Sequence, residues 1–446
     1  MGGFEAATPV VVEPSYNQMN LKHFFLALAI AFSAFCANAV DFDKFFENKT
    51  LRIDYIFSGD IHNQSVSVRE LASLPTWAGR RVNLDHNQLA GMGNVIVTDV
   101  ETHAVIYTTS FTSLFIEWLA LPEPRQRSFE HVTLIPFPKK KIEVTLNLYD
   151  PYHQRICHNT MVVDPTDILI RQRGTESVTP HKYIHKSGDP SKCIDVAILA
   201  EGYTEAEMDK FYEDAKIATE AILDYEPFKS MKHAFNFVAV AAPSKDSGSS
   251  IPKNGIWKST ACSSNFSTFY SDRYLTTQNL IDVNNLLAGI PYEQIVIITN
   301  TDEYGGGGIY NDYLITMAHH KDFRPVVVHE FGHSFGGLGD EYFYENDPLA
   351  PSNYPSNLEP WEPNLTTLHD FDSKWKSMLK KGTPVPTPQA EWEKYPVGVY
   401  EGGGYVFHGV YRPADRCRMR DNQCPGFCPV CQKALKDMIL YHIEEK

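Results

Sequence analysis

Short runs of alternating apolar and polar residues fill the chain from about Val40 to Pro165, the two-residue period of strands that bury one face. Leu51–Phe57 stops at Ser58-Gly59-Asp60, Asn94–Val100 and Val105–Phe111 flank a short turn as a hairpin, and His131–Phe137 and Ile142–Leu148 repeat the theme. A helical period competes only over a turn or two around Ser113–Leu121. The pattern predicts an all-β sandwich of about 120 residues. Its histidines, His62, His86, His131 and His153, are scattered, so an accessory role in folding or substrate presentation suits it better than catalysis.

Residues 166–192 are polar and without a period, as expected of a linker. Beyond them the pattern turns α/β. Ile194–Ala200 reads as a buried strand, Thr204 and Glu207 as a capping box opening a helix to about Leu223, and Phe235–Ala241 as a second strand. A helix around Thr277–Ala288, a strand over Gln294–Asn300, glycines at 305–308 and an edge strand over Ile309–Ala318 follow. An edge strand has unpaired backbone groups, so an extended peptide can add to it. The glycines either let that edge approach a substrate or form a free loop; they lack the lysine and hydroxyl residue of a phosphate loop.

The densest chemistry lies in His329-Glu330-Phe331-Gly332-His333-Ser334-Phe335-Gly336-Gly337-Leu338-Gly339-Asp340-Glu341. Histidines four apart on a helix stand one turn above each other, so both imidazoles can reach one ion. The glutamate between them is close enough to take a proton from a metal-bound water, whose pKa zinc lowers from about 15.7 to about 7. Pro325 in the first turn and the apolar Val326–Val328 start the helix, and Gly336 is where it should break to return a third ligand. The pattern H-E-x-x-H-x-x-G-x-x-H would place a histidine at 339, but Gly339 has no side chain to offer. Asp340 is the first candidate for the third ligand and Glu341 the alternative, since neighbouring side chains point different ways and a carboxylate can serve zinc. An ordinary buried helix with two satisfied histidines is the plain alternative.

Composition narrows the rest. At 446 residues and 43% hydrophobic content, the chain can bury the cores of two or three domains. Its 40 basic and 55 acidic residues give a formal charge of −15, which argues against nucleic-acid binding. Residues 1–39 read as an export signal, with translation starting at Met1 or at Met19: Lys22 and His23 precede the apolar run Phe24–Cys36, and Ala37-Asn38-Ala39 offers a cleavage site. The run is too short for a comfortable membrane span. Of 8 cysteines, Cys36 falls in that segment, leaving Cys157, Cys193, Cys262, Cys417, Cys424, Cys428 and Cys431. In an oxidising compartment the four near the C-terminus read first as disulfides, with free thiols or a second metal at Cys428-Pro429-Val430-Cys431 as alternatives.

A joint resemblance runs through Ala197–Tyr203, Tyr304–Asn311, Val328–Gly336 with Asp340-Glu341-Tyr342, Tyr395–Gly398, Tyr411-Arg412-Pro413, and Cys417-Arg418-Met419 through Phe427–Cys431. Together these segments resemble the IgA-peptidase family of secreted bacterial zinc metallopeptidases, over nearly all of the exported chain. The resemblance implies a metzincin-like catalytic domain behind a β-rich N-terminal one. It also implies that Met419 is the methionine beneath the metal, a platform and not a ligand. Immunoglobulin A gives the family its name, but nothing in the chain identifies an antibody-hinge pocket.

The expectation is therefore an α+β multidomain chain: signal peptide 1–39, β-sandwich 40–165, linker 166–192 and a metzincin-like zinc metallopeptidase domain 193–446. One catalytic Zn2+ held by His329, His333 and Asp340 would act on protein or peptide substrates, in a secreted, periplasmic or cell-surface enzyme, with Glu330 as general base. Tyr411 is a candidate oxyanion donor. Bound calcium and oligomeric state stay open, and no nucleic-acid partner or transmembrane span beyond the signal is expected. The rival is a surface-binding or adhesion protein with a structural zinc; Glu330 speaks against it, and structural sites ordinarily close with four protein ligands. A carbohydrate-processing protein would need a carboxylate pair in a separate cleft, which the chain does not display.

Overall fold

The computed structural model describes residues 39–121, 126–344 and 354–443, so the expected signal peptide lies outside the described residues but for its last position. The N-terminal part contains β1 (Phe46–Gly59), β2 (Gln64–Leu74), β3 (Gly93–Asp99), β4 (Val105–Phe111), β5 (Arg127–Pro138), β6 (Ile142–Tyr149), β7 (Arg155–Val163) and the short β8 (Arg171–Gln172). They form two four-stranded sheets, in the orders β5-β1-β2-β8 and β4-β3-β6-β7. Ile53, Tyr55 and Phe57 of β1, Val95 and Val97 of β3, and Val144, Leu146 and Leu148 of β6 join one apolar core. β2 and β7 are strands that the alternation did not announce, because many of their positions are only partly buried. Between the inward residues of β1, Arg52 and Asp54 form a buried ion pair, Nε to Oδ1 2.7 Å. Arg52 also donates to Asn285 Oδ1 (2.9 Å) and to the Ile281 carbonyl (3.0 Å), both on the helix Leu280–Leu286.

The second part is built on a six-stranded sheet of β9 (His181–Lys186), β10 (Ile194–Glu201), β11 (Phe235–Val240), β12 (Gln294–Thr299), β13 (Gly306–Ile309) and β14 (Tyr313–Met317), ordered β13-β14-β12-β10-β11-β9. The inner strands β14, β12, β10 and β11 run parallel, and an antiparallel strand flanks them on each side. Every residue of those inner strands is buried, as a parallel sheet covered on both faces requires. Along β10 the faces alternate. Ile194, Val196, Ile198 and Ala200 pack into the core that holds Phe211 and Ala215 of the helix Met208–Leu223 and Phe331 of the helix Phe323–Ser334. Ala197 and Leu199 enter the other core, the one filled by the N-terminal sheets. The N-terminal part thus covers the face of the sheet opposite those helices, and Val40–Lys446 form one compact unit.

Two expectations change here. Residues 166–192 are no free linker, since β8 pairs with β2 and β9 pairs with β11. The edge of the sheet is the glycine strand β13 itself; Tyr313–Met317 lies one position further in, because the chain turns back through Asn311, whose φ is +52°. A two-stranded ribbon, β15 (Tyr400–Gly403) and β16 (Val406–Arg412), and a C-terminal helix, Pro429–His442, complete the fold. Among the described residues no helix is long and apolar enough to cross a membrane.

Candidate metal centre

His329 and His333 stand one turn apart on the helix Phe323–Ser334, which has Pro325 in its first turn. Their Nε2 atoms are 3.0 Å apart. Each ring is fixed from behind: His329 Nδ1 lies 3.0 Å from the Arg418 carbonyl oxygen, and His333 Nδ1 lies 2.5 Å from that of Leu338. A carbonyl can only accept, so in the neutral ring Nδ1 carries the proton and Nε2 presents a lone pair. Two lone pairs aimed at one point repel each other unless a proton or a cation lies between them.

Asp340 closes a third side. Its Oδ1 is 3.1 Å from His329 Nε2 and 3.3 Å from His333 Nε2. That oxygen is buried without a hydrogen-bond partner, while Oδ2 accepts from the Tyr405 hydroxyl. Burial opposes a charge on His333, yet the adjacent Asp340 carboxylate outweighs it and pushes His333 up to about 9. Burial likewise opposes the charge on Asp340, and the imidazoles facing it, His333 foremost, hold it well below the carboxylate range. The pocket favours positive charge at the point where the donors meet. Nitrogen and carboxylate oxygen donors of this kind suit zinc. The histidine side chains stay 13% and 15% exposed and Asp340 6%, so the point is reached from the imidazole side.

The turn that returns Asp340 is made by Gly337, with φ +59°, and not by Gly336. Gly337 N–H bonds the His333 carbonyl (2.9 Å) and Leu338 N–H bonds that of Gly332 (3.1 Å), which delivers the Leu338 carbonyl to His333. Gly336, just past the helix end, still makes a helix-type bond, its N–H on the Gly332 carbonyl at 3.2 Å. It is glycine for another reason: a Cβ there would sit 2.4 Å from Leu435 Cδ2. Glu341, one residue on from Asp340, does not reach the histidines. It turns to Cys431 Sγ at 3.0 Å and Asn364 Nδ2 at 3.0 Å.

The family description IgA Peptidase M64 matches residues 183–396 and 394–439, and that of the Peptidase M64 N-terminus matches 41–159. The chain belongs to the IgA peptidase M64 family. Membership makes it a peptidase with protein as its substrate. No curated protein matches it significantly.

In this M64 peptidase the glycine strand is pressed against the histidine helix. A Cβ at Gly308 would lie 2.5 Å from the Glu330 carbonyl oxygen and 2.9 Å from His333 Cβ, and one at Gly306 would lie 2.9 Å from Glu330 Oε1. The glycines are therefore structured, and the outer side of Gly306 is already bridged by Tyr274. Burial pushes the Glu330 carboxyl above its ordinary range, against the charges of His329 and His333. Met419 is fully buried with its sulfur against the helix, where a Cβ at Gly332 would meet it at 2.7 Å. Its carbonyl accepts from Glu341 N–H at 2.9 Å.

Tyr411 is not brought to the cluster. Its backbone pairs with Thr366, and it makes no hydrogen bond with His329, Glu330, His333 or Asp340. Tyr405, on the turn of the same ribbon, is the tyrosine that reaches Asp340. Arg273 also lies within electrostatic range of Glu330. Glu117, from the helix Leu114–Leu119 of the N-terminal part, accepts from Tyr274. Burial pushes it up to about 7, against the Tyr274 hydrogen bond and the charge of His333. None of these had a sequence signal, because each depends on contacts between distant segments.

The expected disulfides near the C-terminus are not formed. Among the described residues no two cysteines are joined by a disulfide, and Cys417 Sγ stands 3.7 Å from Cys431 Sγ.

Proposed function

We propose that this M64 chain is an exported zinc endopeptidase, with His329, His333 and Asp340 as ligands of one catalytic zinc ion and Glu330 as general base. The convergence of two Nε2 lone pairs and a partnerless carboxylate oxygen, 3.0–3.3 Å from one another, carries the reading. When bound, zinc supplies a lowered water pKa and a polarised scissile carbonyl. Glu330 takes a proton from the attacking water and delivers it to the leaving amine; burial, by raising its proton affinity, suits it to the first transfer. The Arg418 and Leu338 carbonyls hold the imidazoles in the tautomer that leaves Nε2 free, and Tyr405 holds the far oxygen of Asp340.

A metzincin-like fold for the catalytic part is supported by the histidine helix beside a mixed sheet, the reversal at Gly337 and Met419 beneath the helix. Asp340, in place of a third histidine, is the departure. A β-sandwich for the N-terminal part is supported by its two sheets around one core. The apolar segment Phe24–Cys36 supports export, and with it an extracellular or periplasmic protein substrate. A purely structural zinc suits this cluster less well, since three ligands with partly open imidazoles leave a position facing solvent.

The test is Glu330→Ala beside the parent on a panel of folded and denatured proteins, with zinc content measured on both. Cleavage should fall by about 10²–10⁴-fold with the zinc at this site retained. Equal cleavage by both proteins would sink the assignment, and so would Asp340→Ala holding zinc at this site as tightly as the parent.

A further inference from the structure

Behind the catalytic cluster lies a second set of donors. Glu341, Cys417, Cys428 and Cys431 each offer one atom, and these atoms all lie within 4.8 Å of one another. The side chains are 0%, 0%, 4% and 0% exposed. The Cys417 and Cys431 sulfurs are 3.7 Å apart, and Cys431 Sγ is 3.0 Å from Glu341 Oε1. A disulfide needs about 2.05 Å between sulfurs. Zinc–sulfur bonds of about 2.3 Å place tetrahedral sulfurs about 3.8 Å apart, close to the spacing found.

A second observation points the same way. Glu341 Oε2 is buried with no hydrogen-bond partner, although Asn364 holds Oε1. A partnerless buried carboxylate oxygen beside three thiols costs free energy unless a cation meets it. The helix Pro429–His442 adds to this: Cys428 is its N-cap and Cys431 lies in its first turn, where the helix dipole favours thiolate.

We propose that Glu341, Cys417, Cys428 and Cys431 form a second, structural zinc site. Soft thiolate donors with one carboxylate select zinc over magnesium or calcium, and four protein ligands close the coordination sphere. The site joins three segments that hold the catalytic cluster. Glu341 follows Asp340. Cys417 precedes Arg418, whose carbonyl orients His329, and Met419, whose sulfur lies against the histidine helix. Cys428 and Cys431 anchor the start of the helix whose Leu435 packs against Gly336. The inference stands on its own donors and does not depend on the catalytic assignment.

The full chain, purified without chelator, should carry two zinc ions by elemental analysis. His329→Ala/His333→Ala should carry one, and reloading that variant with cobalt should give the sulfur-to-cobalt charge-transfer absorption of thiolate ligands. Cys428→Ser should abolish that absorption in the same background, with a lower thermal midpoint. Alkylation of the denatured, zinc-stripped chain without reductant should label Cys417, Cys428 and Cys431 fully. Absence of metal from the histidine variant, cobalt bound without the thiolate band, or a disulfide among the three would overturn the proposal. The histidine variant keeps every thiol, so the test holds even where the cysteine variant fails to fold. Failure of the catalytic reading would instead show as cleavage surviving Glu330→Ala, with the thiolate band unaffected.

Discussion

Asp340 and Glu341 are adjacent in the chain and face opposite chemistries, one the imidazoles and the other the thiols. Sequence spacing named both as candidates and ranked Asp340 first, with Glu341 kept as the alternative because the choice depends on the backbone after Gly337. The histidine pair was legible because four residues is one helical turn. The tautomer lock was not, since Arg418 lies 89 positions from His329. His131, by contrast, looked idle in the sequence and has a stated energetic role. It stacks between Phe57 and Phe111, at ring distances of 4.9 and 4.2 Å. Burial alone depresses it from 6.5 to about 3. The folded chain keeps it neutral while the unfolded chain protonates below about 6.5, so its contribution is present above that pH and is lost as pH falls toward about 3. Urea unfolding of the parent and His131→Phe, at several pH values from 7 to 4, should show the parent losing stability more steeply, by up to about 1.4 kcal/mol per pH unit. Parallel curves would show that His131 is not buried neutral.

At the scale of elements, hydrophobic runs were read well where every residue is buried, as in β10, β11 and β12. They were read poorly where one side faces solvent. β9, His181-Lys182-Tyr183-Ile184-His185-Lys186, looked like linker because edge strands carry charge to discourage pairing with other chains. The glycines at 305–308 carried no strand signal, yet Gly306–Ile309 is a strand because the histidine helix leaves room for nothing larger. Gly308→Ala tests this. Its methyl would meet a backbone carbonyl that cannot swing aside, so the strand and helix must part. The expected cost is about 1–3 kcal/mol in unfolding free energy, with weakened zinc retention. Unchanged unfolding and metal content would show that strand and helix are not pressed together at Gly308.

At the scale of the molecule, composition and the change of period suggested separate domains, and the packing shows one compact unit. The seam was invisible in the sequence because its residues look like ordinary core on each side. Leu199 and Ala197 are buried by neighbours outside their own sheet. Arg52 is one polar tie across the seam, fully buried and bonded to Asp54, Asn285 and Ile281. Arg52→Ala leaves Asp54 buried without its partner and should cost about 3–5 kcal/mol, read from the urea midpoint. A loss below 0.5 kcal/mol, the usual range for surface changes, would show that the seam does not need it.

The strand β9 and the shared core have a further meaning for how such a protein can diversify. A chain whose halves were joined by a loose tether could trade its N-terminal half with a relative and keep a working catalytic half. Here the exchanged half would have to supply the side chains that roof Ala197 and Leu199 and the donor that meets Asn285 and the Ile281 carbonyl. Hybrids spliced within 166–192 from divergent parents would therefore inherit mismatched volumes across the seam. Compatible exchange requires the two faces to be carried over as a matched pair.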